Sequence, residues 1–343
     1  MAKKDIIVIG ASAGGMEALV KLMAGLPPKL PAAVFVVWHT APGVKSILPS
    51  VLRKAGPLTA VHPADGDPIQ PGKIYVAPSD HHMMVERDYI RIAKGPKENR
   101  FRPAIDPLFR SAAYVYGPRV IGVVLTGALD DGTAGLWTIK LRGGTAVVQE
   151  PSEAVINAMP LNALTNVEVD YKLPVAEIGP LLGRLAEQPA PAPRAIAPDE
   201  QRKTRHEIRI TEEANGLEEN IMQFGELSPL TCPECRGVLT QLREGRILRF
   251  RCHTGHAFSA NTLLESSTEQ VEARLWDAVR AIDETVMLLN SMGEEFTRNG
   301  DPRAAERCFE KARQTHQHSQ PIREAATREQ PVSSEELSEK AAS

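Results

Sequence analysis

With 343 residues, 40 Lys and Arg against 43 Asp and Glu, and a net charge of −3, the chain is long enough for two or three domains and too nearly neutral to require a nucleic-acid partner. The balance is uneven, because the first 188 residues carry 20 basic against 17 acidic side chains and the remainder 20 against 26. No apolar run reaches the ~18 residues of a membrane helix. The opening MAKKDIIVIG is too short and strand-like for a signal peptide, so a cytoplasmic protein without membrane insertion is expected.

Along the chain, apolar β-branched runs at 5–10, 33–38, 73–77, 120–126 and 145–149 read as strands buried on both faces. Segments such as 16–24 and 107–116 read as helices between them. The alternation predicts an α/β domain over 1–187: a doubly wound, mostly parallel sheet in three αβα layers, with sites where strands end in loops. QPAPAPRAIAP at 188–198 favours an extended spacer and opens a Pro-rich, polar linker over 188–228. A small cysteine-bearing module is expected at 229–260. A helical segment follows at 261–328, with Leu264, Val271, Leu275, Ala278, Val279, Ile282, Val286 and Leu289 on one face. The polar tail, 329–343, reads as disordered.

The first strand runs into IIVIGASAGG, a turn that fits either a dinucleotide-binding loop or G-x-S-x-G, the turn that exposes a nucleophilic serine. A dinucleotide site needs an acidic residue at the end of the second strand, where His39 stands, and a glycine where Ser12 stands. Both departures tell against a dinucleotide-binding oxidoreductase. A serine hydroxyl needs a base, and an imidazole needs a carboxylate to fix its tautomer. Ser12, His39 and the Asp130–Asp131 pair all fall at the C-terminal ends of strands, hence at one edge of the sheet.

These segments resemble the CheB-type protein-glutamate methylesterases of bacterial chemotaxis. The resemblance rests on VIGASAGG, the histidine after VVW, RPAIDPLFRSAA, VVLTGALDDGTAG and QEPSEAVINAMPLNAL, in that order. It implies Ser12 as nucleophile, His39 as base and Asp131, directly before the glycine, as the acid. It implies backbone amides of Ala128 and Ala13 as oxyanion donors and no cofactor for catalysis. Ala13, Trp38 and Ala128-Leu129 depart from the Thr, Gln and Met-Gly usual in the family, and the loss of glycine at Leu129 threatens the turn. The implied reaction is hydrolysis of glutamate γ-methyl esters on methyl-accepting chemoreceptors, with glutamine deamidation beside it. Chemosensory signalling proteins are further expected partners. Arg102 and Arg110 are candidates to guide acidic receptor segments, or ordinary ion-pair arginines. Because the chain opens on the first strand, no N-terminal receiver domain is expected.

Cys232-x2-Cys235, sixteen residues, then Cys252-x3-His256 is zinc-ribbon spacing, and three thiolates with an imidazole suit tetrahedral zinc. His253 competes for the fourth place, which the Gly255 turn favours for His256. A full ligand set implies a structural Zn2+. Arg243, Arg246, Arg249 and Arg251 read as a solvated hairpin face rather than a nucleic-acid contact. The competing function is a signalling scaffold with a vestigial triad, acting through its ribbon and helices.

Overall fold

The computed structural model describes residues 2–40, 43, 46–213 and 221–328. The chain divides into two compact units, Met1–Leu263 and Leu264–Ser343. In the first, β1 (Ile6–Ala11) leads into α1 (Gly15–Ala24), β2 (Ala33–Trp38) into α2 (Leu48–Ala55), and β3 (Thr59–Val61) precedes β4 (Lys73–Val76). A hairpin of β5 (His82–Val85) and β6 (Ile90–Ala93) leads to α3 (Ile105–Tyr116). Then come β7 (Val120–Val124), α4 (Thr133–Leu141), β8 (Thr145–Gln149), α5 (Ala158–Asn166), β9 (Tyr171–Leu173) and α6 (Val175–Glu187).

Seven of these strands form one parallel sheet in the order β3-β4-β2-β1-β7-β8-β9. Successive side chains of a strand point to opposite faces. Along β1, Ile7 and Ile9 therefore join one core layer with Leu22, Val34 and Leu182, while Ile6 and Val8 join the other with Phe35, Ile105 and Phe109. Each layer is covered by helices, giving the three-layer αβα architecture that the strand pattern predicts. The strand order turns at β1, which has β2 on one side and β7 on the other, and ligand sites form beyond the carboxyl ends of strands at such a point. The short strands β3 and β9 and the β5–β6 hairpin escape the sequence reading because runs of three or four residues give little periodic signal.

The stretch read as a linker contains a helix, α7 (Pro198–Glu213), after its proline-rich opening. Glu207, Ile208, Ile210 and Thr211 on α7 are buried. Its sequence is polar because part of the face it buries meets guanidinium groups rather than apolar side chains, so polarity does not here mean exposure. A four-stranded antiparallel sheet follows, made of β10 (Glu226–Thr231), β11 (Val238–Glu244), β12 (Ile247–Cys252) and β13 (Ala257–Ser259) in that order. The expected ribbon hairpin is β11–β12. The helices α8 (Ala260–Arg298) and α9 (Pro302–Arg328) account for the helical periodicity of the C-terminal region, and within the second unit Arg323 pairs with Asp283 at 2.7 Å. Residues 214–220 of the linker and the tail expected to be disordered, 329–343, lie outside the described residues.

Candidate active site

Register brings the first two residues together. Parallel pairing of β1 with β2 sets Ala11 beside Trp38, and the next residues, Ser12 and His39, leave the sheet side by side. The backbone continues the ladder one step further, His39 N–H donating to Ala11 O at 3.1 Å and Ser12 N–H to Thr126 O at 3.0 Å. The turn closes through Gly14, whose φ of 74° lies in the left-handed region that a glycine enters without strain. Thr126 clamps this turn, its hydroxyl donating to Ala13 O at 2.9 Å and its N–H to Gln149 Oε1 at 2.8 Å. Trp38 donates its indole N–H to Ser12 O at 2.9 Å.

His39 joins the hydroxyl to a carboxylate. Its Nδ1 lies 3.1 Å from Ser12 Oγ and its Nε2 lies 2.8 Å from Asp131 Oδ2. Ser12 and His39 are each 9% exposed and Asp131 1%, so the array is shielded yet open at the serine end. Phe101 stacks on the imidazole with centroids 3.7 Å apart and planes 10° from parallel. A cavity of about 630 Å³ opens over Ser12 and His39, walled by Met16, Trp38, Phe101 and Val155, with Lys97 and Arg102 among its lining residues.

Asp131, and not Asp130, meets the imidazole, and Asp130 faces Ser259 and Asn261 instead. Asp131 Oδ2 also accepts from Ile105 N at 2.6 Å, and Oδ1 from Asn99 Nδ2 at 2.8 Å and Gly132 N at 3.0 Å. Burial alone would raise its pKa. The hydrogen bond and charge of His39, with donation from Ile105 and Asn99, outweigh burial and hold the carboxyl below its ordinary range. Asp106 shares the same Asn99 amide at 2.9 Å, but burial and the Asp131 charge push its carboxyl well above the ordinary range. Asp130 accepts from Ser259 Oγ at 2.6 Å and Asn261 Nδ2 at 3.1 Å, and burial pushes it up to about 6.

The turn between β7 and α4 retains its shape despite Leu129. That residue holds φ at 63°, the conformation a glycine would favour, and Asn162 Nδ2 donates to its carbonyl at 2.9 Å. Its buried side chain offsets a backbone strain of roughly 1–2 kcal/mol. The neighbouring Ala128 is exposed, as is Ala13 after the serine. Among the described residues neither N–H meets a backbone or side-chain acceptor of the chain.

Cys232, Cys235, Cys252 and His256 converge in the ribbon, their ligand atoms all within 4.8 Å of one another. Cys235 Sγ and Cys252 Sγ are 3.6 Å apart, as are Cys252 Sγ and His256 Nδ1. Thiolates at about 2.3 Å from a tetrahedral zinc stand about 3.8 Å from each other, so the donor set fits the metal. His253 lies outside this cluster, its ring over Gly237.

A sequence model of the CheB methylesterase family matches residues 7–182. The chain belongs to that family. Its CheB methylesterase segment contains every residue of the Ser12–His39–Asp131 array. The protein-glutamate methylesterase/protein-glutamine glutaminase 2 of Methanosarcina mazei is 38% identical over 180 residues, 50% of this chain and 49% of that relative. The protein of the same description from Anaeromyxobacter dehalogenans is 39% identical over 177 residues, 52% of each chain. The chain spans about half the length of these curated relatives. The solved CheB methylesterase catalytic domain of Thermotoga maritima superimposes with a TM-score of 0.52 at 34% identity, covering 54% of this chain and 99% of that domain.

The arginines divide. Arg102 and Arg110 are ion-paired, the second of the two readings offered for them. Arg243 and Arg246 are exposed as read, and Arg249 and Arg251 depart from a solvated hairpin face. Arg110 is 1% exposed, and Arg249 and Arg251 are 2% and 0% exposed, so Arg110 guides no substrate and the hairpin face bearing Arg249 and Arg251 is not solvated. All three meet Glu98 and Glu207, at 2.6–3.5 Å. Arg102 pairs with Asp80 at 2.7 Å while lining the cavity. Sequence reasoning missed Asn99, Phe101 and Thr126. NRFRP gave no catalytic signal because an amide and an aromatic ring acquire their roles only from what they touch.

Proposed function

We propose that the chain hydrolyses glutamate γ-methyl esters of methyl-accepting chemoreceptors in the cytoplasm, releasing methanol. The observation that carries this reading is the buried His39 ring bridging Ser12 Oγ at 3.1 Å and Asp131 Oδ2 at 2.8 Å. In this reading His39 Nδ1 takes the Ser12 proton as Oγ attacks the ester carbonyl, and Asp131 Oδ2 accepts the Nε2–H and steadies the imidazolium. The backbone N–H groups of the exposed residues Ala128 and Ala13 are the proposed oxyanion donors, each worth about 3 kcal/mol of barrier. The methoxy group departs with the proton from Nδ1. Water, deprotonated by the same nitrogen, then cleaves the acyl-serine. On a glutamine side chain the same sequence releases ammonia, in keeping with the double description of the relatives.

The open cavity over Ser12 suits a side chain presented from a protein surface. The assembled array supports catalysis over a scaffold with a vestigial triad. Cys232, Cys235, Cys252 and His256 are the proposed ligands of a structural zinc, which would supply folding energy to the ribbon and take no part in the chemistry. Methanol release from methylated chemoreceptor membranes, compared between the native chain and Ser12→Ala, tests the reading. Release is expected to vanish in the variant, and equal rates would remove the triad assignment.

A further inference from the structure

The segment from Lys97 to Arg102 lies between the ribbon and the triad, and each side holds it differently. On the ribbon side, β13 pairs with it through backbone: Asn99 N–H donates to Ala257 O at 2.8 Å, and Ala257 N–H to Lys97 O at 3.2 Å. Ser259 N–H donates to Asn99 Oδ1 at 2.9 Å, and Lys97 Nζ reaches Glu234 at 3.3 Å beside the CxxC turn. On the other side, Asn99 Nδ2 donates to Asp131 at 2.8 Å and Phe101 stacks on His39. Asn99 and Arg100 hold φ values of 48° and 74°, a left-handed conformation that asparagine accepts but arginine seldom enters, so the turn depends on its surroundings to persist. Glu98, buried directly before them, receives Arg249 and Arg251 from β12.

The ribbon end of this path is short. His256, one of the four gathered metal donors, directly precedes Ala257, and Cys252 N–H donates to His256 O at 3.0 Å. Without metal a hairpin with so small an apolar core would lose its folding energy, and β13 with it. Asn99 would then lose the amide that faces its Oδ1, and its Nδ2 would no longer be aimed at Asp131.

We propose that Asn99 is a positioning residue for Asp131 and that metal occupancy of the ribbon, transmitted through β13 and residues 97–101, sets the reactivity of Ser12. The proposal rests on the esterase reading. It makes the C-terminal ribbon a control element for the catalytic domain, responsive to zinc availability. A displacement of about 1 Å in an orienting group costs up to about 100-fold in rate, so a 10- to 100-fold fall is expected when the metal is removed.

The full-length chain, stripped with a chelator under reducing conditions and then restored with Zn2+, would be compared with the untreated chain. The readouts are the rate at which a fluorophosphonate labels Ser12 and the hydrogen exchange of the 97–101 amides. Stripping is expected to slow labelling 10- to 100-fold and to expose those amides, and Zn2+ to reverse both. Native labelling by a metal-free chain overturns the proposal. Because stripping can also loosen the fold at large, Asn99→Ala, with all four metal donors intact, decides the positioning role. With p-nitrophenyl acetate its kcat is expected to fall 10- to 100-fold, with KM, zinc content and the number of titratable serines unchanged. A smaller count of titratable serines at native turnover would show damage to folding and overturn positioning, as would an unchanged kcat. Ser12→Ala separates the two readings: if it hydrolyses the ester as fast as the native chain, the esterase reading fails. If it is inert while metal-free chain and Asn99→Ala react normally, only the coupling fails.

Discussion

Glu98→Gln tests the buried ion cluster that fastens the ribbon and α7 to the catalytic domain. The Glu98 carboxylate is wholly buried and receives five donors: Arg251 at 2.6 Å, Thr211 at 2.9 Å, Arg110 at 3.1 and 3.2 Å, and Arg249 at 3.3 Å. Around it three guanidinium groups and Lys203 face the three carboxylates of Glu98, Glu207 and Glu244. Glutamine keeps the volume but removes one negative charge and leaves an NH2 group among guanidinium donors. Two carboxylates then face four cations with no water to screen them. Breaking such a pair costs about 3–5 kcal/mol, and a unit interaction at 4 Å with an effective dielectric of 20 is about 4 kcal/mol. Against a total of roughly 5–15 kcal/mol this is a large share. Urea denaturation at fixed Zn2+ measures it, since any metal held by the ribbon would add its own stabilisation. A loss below about 1 kcal/mol would refute the view that these charges are desolvated and mutually dependent. The same cluster fixes an acid response. Burial would raise Glu98 and Glu207, but the arginines hold both below the ordinary glutamate value, so their stabilisation is present above about pH 4.5 and is lost as pH falls toward the depressed values.

Asp131→Asn leaves the shape of the site but misorients the imidazole, and kcat for ester cleavage is expected to fall by about 10⁴, read from single-turnover acylation. Gly127→Ala would place a Cβ 2.1 Å from Met159 Sδ and 2.7 Å from Ser12 Cβ, so fluorophosphonate labelling of Ser12 should drop sharply while circular dichroism stays near native. Asp130 behaves oppositely to Glu98: burial raises it to about 6, so its contribution is full below about pH 4 and is lost as pH rises through 6. Melting curves from pH 4 to 8 should show Asp130→Asn gaining on the native chain across that window, and parallel curves would exclude the assignment.

What the residues alone determined is whatever depends on local periodicity and on chain order. Uniformly apolar runs marked β1, β2, β4, β7 and β8 to within a residue or two, because a strand covered on both faces tolerates few polar side chains. Strand ends in an α/β sheet share one edge, so Ser12, His39 and Asp131 were legible as a group, and the CxxC spacing marked the ribbon donors for the same reason of locality. Only the tertiary structure decided what long-range contact creates. The polarity of α7 and the arginines of β12 read as solvent exposure, yet those residues neutralise one another in the interior across 40 to 150 positions of sequence. Asn99 carries no signal until Asp131 comes to one side of it and Ser259 to the other, and such partners are chosen by the fold, not by neighbours in the chain.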